Sequence, residues 1–278
     1  MSGFAEALGV LAGRPLVVLT GAGLSTDSGI PDYRGPGAPR RTPMTYTELL
    51  SGRPAQRRYW ARSHVGFARL AHAEPNAGHR ALAELERAGI VRGLITQNVD
   101  GLHTDAGSRA VIDLHGRIAD VRCLGCGRRT ARADLQRRLA ELNPGFLTAA
   151  GEAVEAAPDG DAELAATAGF RVADCPDCGG LLKPDVVFFG ENVPPARVAA
   201  AFAMVDQVAA DGALLVAGSS LTVLSGLRFV RHAHRLGMPV VIVNRGATRG
   251  DELATLLVPA GCSEFLTAFL SATAAAAR

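Results

Sequence analysis

Leu16-Val-Val-Leu-Thr-Gly-Ala-Gly23 decides the fold. A short apolar run rich in β-branched residues enters a glycine turn, which reads as a buried parallel strand opening into a loop. Similar runs follow at 91–96, 185–189, 213–217 and 240–243, and amphipathic stretches lie at 76–88, 194–210, 224–236 and 263–277. Strands alternating with helical segments need crossover connections. The expected class is therefore α/β, a doubly wound, Rossmann-like parallel sheet.

Two C-x-x-C pairs interrupt this pattern, Cys123/Cys126 and Cys175/Cys178, with turn-forming Gly127 and Gly179 just beyond them. Two such knuckles make a tetrahedral thiolate site for zinc, and four protein ligands leave no open position, so the metal is expected to be structural. Redox chemistry is the competing reading of the pairs. The expected organisation is an α/β domain from 1–122 and 183–278, with a small zinc module inserted at 123–182. The module holds a helical stretch at 133–142 and a long insert at about 143–172, rich in Ala, Gly and acids. The proline- and glycine-rich stretch 31–43 reads as a mobile cofactor-binding loop.

The 278 residues are 48% hydrophobic and 20% charged, with a net charge of +2. That is enough for one sizeable domain plus a satellite, and the balanced charge gives no bulk attraction to nucleic acid or membrane. No apolar run reaches the roughly 18 residues a membrane helix needs, and the N-terminus lacks a signal-peptide pattern. A cytoplasmic protein is expected, with a monomer the default. Lys183 is the only lysine among 29 basic residues, which leaves one lysine available for self-modification.

Polar residues gather where strands end, the place where open α/β sheets bind ligands. Gly21, Ala22 and Gly23 suit close approach of main-chain N–H groups to a pyrophosphate, or an ordinary strand-to-helix turn. Ser25 through Ile30, Asp32, Tyr33 and Arg34 form a proline-broken run suited to closing over a phosphate. Gln97, Asn98 and Asp100 offer both donors and acceptors, as recognition of a carboxamide requires, or cap the next helix. His115 lies at a strand end beside Gly116, and a neutral imidazole suits general-base work. Gly218, Ser219 and Ser220 follow one late strand and Asn244 and Arg245 follow another. Cys262 is either a small buried residue or part of a cofactor pocket. The remaining histidines, at 64, 72, 79, 103, 232 and 234, carry no such setting and are read as structural.

In order and spacing, the sequence resembles the sirtuin family over about residues 14–270. The marks are GAGLSTDSGIPDYRG at 21–35, TQNVDGLH at 96–103, LHG at 114–116, the paired C-x-x-C, KPDVVFFGE at 183–191, GSSLTV at 218–223 and VNRG at 243–246. Tyr33 and Val99 stand where many family members have Phe and Ile, and neither change removes a functional group. The resemblance implies an NAD-dependent protein-lysine deacylase that yields lysine, nicotinamide and O-acyl-ADP-ribose. It places the pyrophosphate near Gly21, Ala22, Gly23 and Ser219, the adenosine ribose at Asn244 and Arg245, and the adenine beside Cys262. Ile30, Asn98 and Asp100 hold the nicotinamide amide. Asn98 and His115 are then the catalytic pair, with His115 deprotonating a ribose hydroxyl. Val187, Phe188, Phe189 and Gly190 pair with the substrate backbone as an added strand, so the partners are acyl-lysine proteins or peptides.

QRRYWAR at 56–62, LNPGF at 142–146, PDGD at 158–161 and the long insert look like the class II branch of that family. Tyr59 and Arg62, three apart on one helix face, match a pair that binds acyl carboxylates in desuccinylase-type members. Acidic, branched acyl groups are the favoured substrates on this reading; lipoyl and acetyl groups stay open, and an exposed helix face is the plain alternative. Two rival functions remain. A protein ADP-ribosyltransferase would use the same NAD site. A zinc-ribbon nucleic-acid binder would use Arg122, Arg128, Arg129, Arg132, Arg137 and Arg138, yet has few aromatic residues for stacking.

Overall fold

The computed structural model describes residues 2–35, 42–150, 157–162, 164 and 167–276. Part of the expected loop at 31–43 and the centre of the 143–172 insert lie outside the described residues.

Six parallel strands form the main sheet: β1 (Leu16–Thr20), β2 (Val91–Thr96), β3 (Val111–Asp113), β7 (Ala213–Ala217), β8 (Val240–Val243) and β9 (Leu256–Val258), in the order β3-β2-β1-β7-β8-β9. Every residue of β1, β7 and β8 is buried, as expected of strands covered on both faces. Alternation divides them. Leu16 and Val18 face α1 (Ser2–Leu11), α4 (Ala77–Arg87) and α10 (Cys262–Ala276) through Leu11, Leu82 and Phe265. Val17 and Leu19 face α8 (Pro195–Asp206) and α9 (Leu224–Arg235) through Val205 and Phe229. Order reverses at β1, which has β2 on one side and β7 on the other, so a crevice opens at their carboxyl ends.

A smaller antiparallel sheet has the order β5-β4-β6, from β4 (Gly116–Cys123), β5 (Arg129–Ala131) and β6 (Leu182–Val186). The apolar run at 185–189 was expected in the parallel sheet; instead the strand is Leu182–Val186, and it pairs antiparallel with β4. An apolar run does not say which sheet receives it. Gly116 decides here, since its φ of 83° turns the chain and a Cβ would lie 1.9 Å from Asp185 O. The strands of this sheet thus reach beyond 123–182 on both sides.

A helix, α3 (Arg53–Leu70), joins the two parts. Trp60 Nε1 donates to Leu182 O at 3.1 Å, and Arg132 of α6 (Arg132–Leu142) lies fully buried between Trp60 and Phe67, donating to Ser63 and Gln136. Short helices α2 (Tyr46–Leu50), α5 (Leu102–Asp105) and α7 (Phe146–Ala150) complete the α-helices among the described residues. No helix among the described residues is long and apolar enough to cross a membrane.

Candidate active site

After β1 the chain forms a seven-residue 3-10 turn, Ala22–Ser28. Its Ser, Thr and Asp side chains favour local bonds to the main chain over helix propagation, as Thr26 Oγ1 does in donating to Gly23 O at 3.0 Å. The glycines are required by packing. A Cβ on Gly21 would lie 2.7 Å from Gly218 O, and one on Gly218, at φ 68°, would lie 2.4 Å from Leu24 N. The turns after β1 and β7 therefore close on each other and form one floor.

Beside that floor Asn98 Nδ2 donates to Gly21 O at 3.1 Å and to Ser25 Oγ at 3.0 Å. Ser25 in turn donates to Asp100 Oδ2 at 2.7 Å, and Asp100 Oδ1 accepts from Leu102 N at 2.9 Å. Burial raises the Asp100 carboxyl above its ordinary value. Both Asn98 donors are used, so its carbonyl oxygen is the atom it can turn to a ligand amide. Behind lies a buried polar string: His103 Nε2 donates to Thr20 Oγ1, which donates to Thr96 Oγ1 at 2.8 Å, and Thr96 accepts from Asn98 N. His103 and its neighbour His79 are thus structural, as the sequence indicated.

Gln97 behaves differently from the expectation that it reads a carboxamide. Its Oε1 accepts from Ser219 Oγ at 2.6 Å, its main-chain oxygen accepts from His115 Nδ1 at 2.9 Å, and its amide packs against Gly226. Its two oxygens thus fasten neighbouring elements, which leaves the Nε2 amide as its remaining donor. A carbonyl only accepts, so Nδ1 carries the His115 proton and Nε2 carries the lone pair. Burial brings the His115 pKa down to about 4, aided by Arg197 and Arg228 and opposed by the Gln97 bond. The imidazole is therefore neutral at physiological pH.

One cavity of about 1610 Å³ runs across this floor. It is larger than the roughly 300–1,000 Å³ typical of a small-molecule pocket, with room for a dinucleotide and a peptide side chain together. Its walls include Gly21, Ala22, Gly23, Ser25, Ile30, Asp32, Tyr33, Arg34, Gln97, Asn98, Asp100 and His115. Gly218, Ser219, Ser220, Asn244, Arg245 and Cys262 close one end, and Tyr59, Val187, Phe188, Phe189 and Gly190 the other. Asp32 accepts from Arg34 N and Gly35 N, shaping its own loop. Asn244 Nδ2 donates to Gly246 O, Ser220 bonds Thr222, and burial pushes the Cys262 thiol up to about 12, which makes it a wall residue and no nucleophile.

Arg62 is the predicted site residue, outside the cysteine set, that does not line the cavity. Its Nε donates to Ala162 O at 2.8 Å, and the guanidinium forms an ion pair with Asp161, Nε to Oδ1 2.8 Å. Tyr59, 5% exposed, packs on Trp60 and Phe188. The expected joint grip on an acyl carboxylate is thus not assembled: the Arg62 charge is answered by Asp161, an acid from the PDGD segment that sequence reasoning treated only as a family mark.

The segment after β6 is held by the lone lysine. Lys183 Nζ, buried, donates to Glu191 Oε2 at 2.8 Å and lies over the Phe188 ring, while Phe188 N donates to the same Glu191 oxygen. Self-modification at Lys183 is therefore closed off. Val187 N donates to His115 O and Tyr46 N to Phe189 O, so several main-chain groups of 187–190 are already paired.

At the far side of the smaller sheet the sulfurs of Cys123, Cys126, Cys175 and Cys178 all lie within 4.8 Å of one another. The closer pairs stand at 3.5 and 3.8 Å, near the about 3.8 Å expected of thiolates around a tetrahedral zinc. Gly125 N and Gly180 N donate to Cys123 and Cys178, as main-chain groups of knuckles stabilising negative sulfur do. The four cysteines are positioned to bind a structural zinc, and none of them lines the crevice.

The sequence model of the Sir2 family matches residues 21–225. The chain belongs to the Sir2 family. Among relatives of this Sir2 protein, "NAD-dependent protein deacetylase 1" of Mycobacterium avium (strain 104) is 59% identical over 94% of this chain and 92% of its own. The "NAD-dependent protein deacetylase" of Bordetella bronchiseptica is 49% identical over 98% of each. A solved structure of Sir2 with a p53 peptide and NAD+ superposes with a TM-score of 0.76 at 32% identity, covering 97% of this chain and 98% of that one.

Wall residues of this Sir2 site that were not singled out from sequence include Ser225, Arg228, Asp159 and Asp161. Asp159 hydrogen-bonds Tyr33 and burial raises its carboxyl. Ser225 stands 2.8 Å from His115 Nε2. The signal that could have found Asp159 was the PDGD motif itself, an acid pair with no helix to cap.

Proposed function

We propose that this chain is an NAD-dependent protein-lysine deacylase, converting acyl-lysine, NAD and water into lysine, nicotinamide and O-acyl-ADP-ribose. The observation that carries the reading is the neutral His115 with its one lone pair at Nε2, set in the wall of a cavity floored by the glycine turns. NAD supplies an electrophilic sugar carbon once its nicotinamide leaves. Gly21, Ala22, Gly23 and Ser219 would cradle its phosphates, with Asn244, Arg245 and Cys262 around the adenosine. Ile30, Asn98 and Asp100 would hold the amide, Asn98 by its free carbonyl and Asp100 by its remaining lone pairs. His115 takes the proton of a sugar hydroxyl so that the oxygen can attack the acyl carbon. The main chain of 187–190 would seat the peptide.

The class II branch remains our placement, supported by QRRYWAR at 56–62 and PDGD at 158–161. An acidic acyl group can use Arg62 only where Asp161 releases it, so we favour acetyl-like neutral groups over succinyl or methylglutaryl ones. The zinc-ribbon nucleic-acid reading loses its charged face: Arg132 is buried, Arg128 pairs with Asp177, Arg129 with Asp185 and Arg137 with Asp134.

His115→Ala is expected to abolish acyl transfer while zinc content and thermal unfolding stay unchanged. Mass spectrometry of products from an acyl-lysine peptide with NAD checks this. Equal O-acyl-ADP-ribose from both proteins would end the mechanism, and ADP-ribosylated peptide in its place would assign a transferase.

A further inference from the structure

We propose that Ser225 is a second catalytic residue of acyl transfer, a hydroxyl relay between the sugar hydroxyl and His115. The inference rests on the deacylase reading above. Nδ1 of His115 donates to Gln97 O, which leaves Nε2 as the only proton-accepting atom of the ring. The Ser225 Oγ lies 2.8 Å away and therefore donates to it. The base atom is thus covered by a hydroxyl, and that hydroxyl belongs to a residue of the cavity wall.

Its position is not accidental. A serine at the start of a helix ordinarily caps it, but α9 begins from Val223 with no side-chain cap. Ser225 instead directs its oxygen at the imidazole, with the residue only 8% exposed. The next residue fixes that placement, because a Cβ on Gly226 would lie 2.7 Å from Gln97 Nε2. One residue, Gln97, thus sets both halves of the pair: its carbonyl orients His115 and its amide abuts the turn that carries Ser225.

In the step itself the sugar hydroxyl passes its proton to Ser225 Oγ as the Ser225 proton passes to Nε2. The sugar oxygen's freed electron pair forms the bond to the acyl carbon, whose π bond to the lysine nitrogen breaks with its electron pair moving onto that nitrogen. Ser225 ends neutral, and His115 ends as an imidazolium whose Nδ1–H still donates to Gln97 O. No oxidant or further reactant is needed. Two protons move together, where direct abstraction by His115 would move one.

The test compares the unaltered chain with Ser225→Ala and Ser225→Thr, using an acetyl-lysine peptide and NAD. Ser225→Ala should lower O-acyl-ADP-ribose formation by roughly tenfold or more, while exchange of labelled nicotinamide into NAD, which precedes the proton transfer, stays within about twofold. Ser225→Thr should restore most of the loss. The solvent-isotope proton inventory of single-turnover acyl transfer should be curved in the unaltered chain and linear in Ser225→Ala. Without ligand, the 15N resonance of His115 Nε2 should move downfield in Ser225→Ala, with Nδ1 unmoved. Undiminished acyl transfer in Ser225→Ala, a linear inventory in both proteins, or parallel losses of exchange and transfer would overturn the proposal. No nicotinamide exchange by the unaltered chain would instead overturn the deacylase reading beneath it.

Discussion

At the scale of single residues, pairing decides what a charge can do. Arg62 sits on the helix face that sequence assigned to it, but Asp161, with its side chain 6% exposed, takes its guanidinium at 2.8 Å. A partly buried pair of this kind resists separation, because opening it leaves a desolvated carboxylate behind. Asp159 and Asp161 line the same cavity as Tyr59, so an anionic acyl chain entering there would face two carboxylates. Asp161→Asn should therefore release Arg62 and raise succinyl-lysine turnover relative to acetyl-lysine by several-fold. The ratio of the two kcat/KM values measures this; an unchanged ratio would assign Arg62 purely to fastening the PDGD segment to α3.

Among elements, the turn from β6 to α8 is held by a largely buried ion pair, Lys183 with Glu191. Glu191 accepts from both Lys183 Nζ and Phe188 N, so one carboxylate oxygen fixes the segment that would seat the peptide. Lys183→Met keeps most of the aliphatic stem but removes the charge that compensates Glu191. It should lower stability by about 2–3 kcal/mol, at or below the usual range for breaking a buried pair, since Glu191 keeps partial contact with solvent. It should also raise KM for peptide more than it lowers kcat. Urea unfolding and steady-state kinetics check the two parts, and an unaltered KM would mean that the 187–190 segment holds its shape without Lys183. The strand preceding this turn also shows the limit of pattern reading. Its apolar run was plain in the sequence, but its partner, β4, was set by the Gly116 bend that no periodicity reports.

Across the whole molecule, buried neutral histidines make stability fall on the acid side. Burial brings His79 and His115 to about 4, takes His103 well below its ordinary value and lowers His64 too. In the unfolded chain these rings titrate near 6.5, so between about 6.5 and 4 the unfolded state binds protons that the folded state refuses. Stability is then full above about 6.5 and is lost as pH falls, at about 1.4 kcal/mol per pH unit for each refused proton. Urea midpoints should be flat near neutrality and drop steeply below pH 6.5. His79→Gln should make that drop shallower, which separates the histidines from protonation of the cysteine thiolates. An identical slope in His79→Gln would remove His79 from the account.

The sequence alone determined the parallel sheet, its glycine turn, the cysteine tetrad and the residues that meet at the strand ends. These are local properties: β-branched runs, glycines where a strand ends, thiolates three apart, polar side chains where a strand stops. Tertiary structure alone decided that β6 joins the antiparallel sheet, that the oxygens of Gln97 fasten neighbouring elements, that Arg62 faces Asp161, and that Ser225 covers His115. Those outcomes join residues separated by up to 128 positions, as with Gln97, His115 and Ser225. They follow from which donor meets which acceptor once the core has closed, and no local pattern along the chain encodes that meeting.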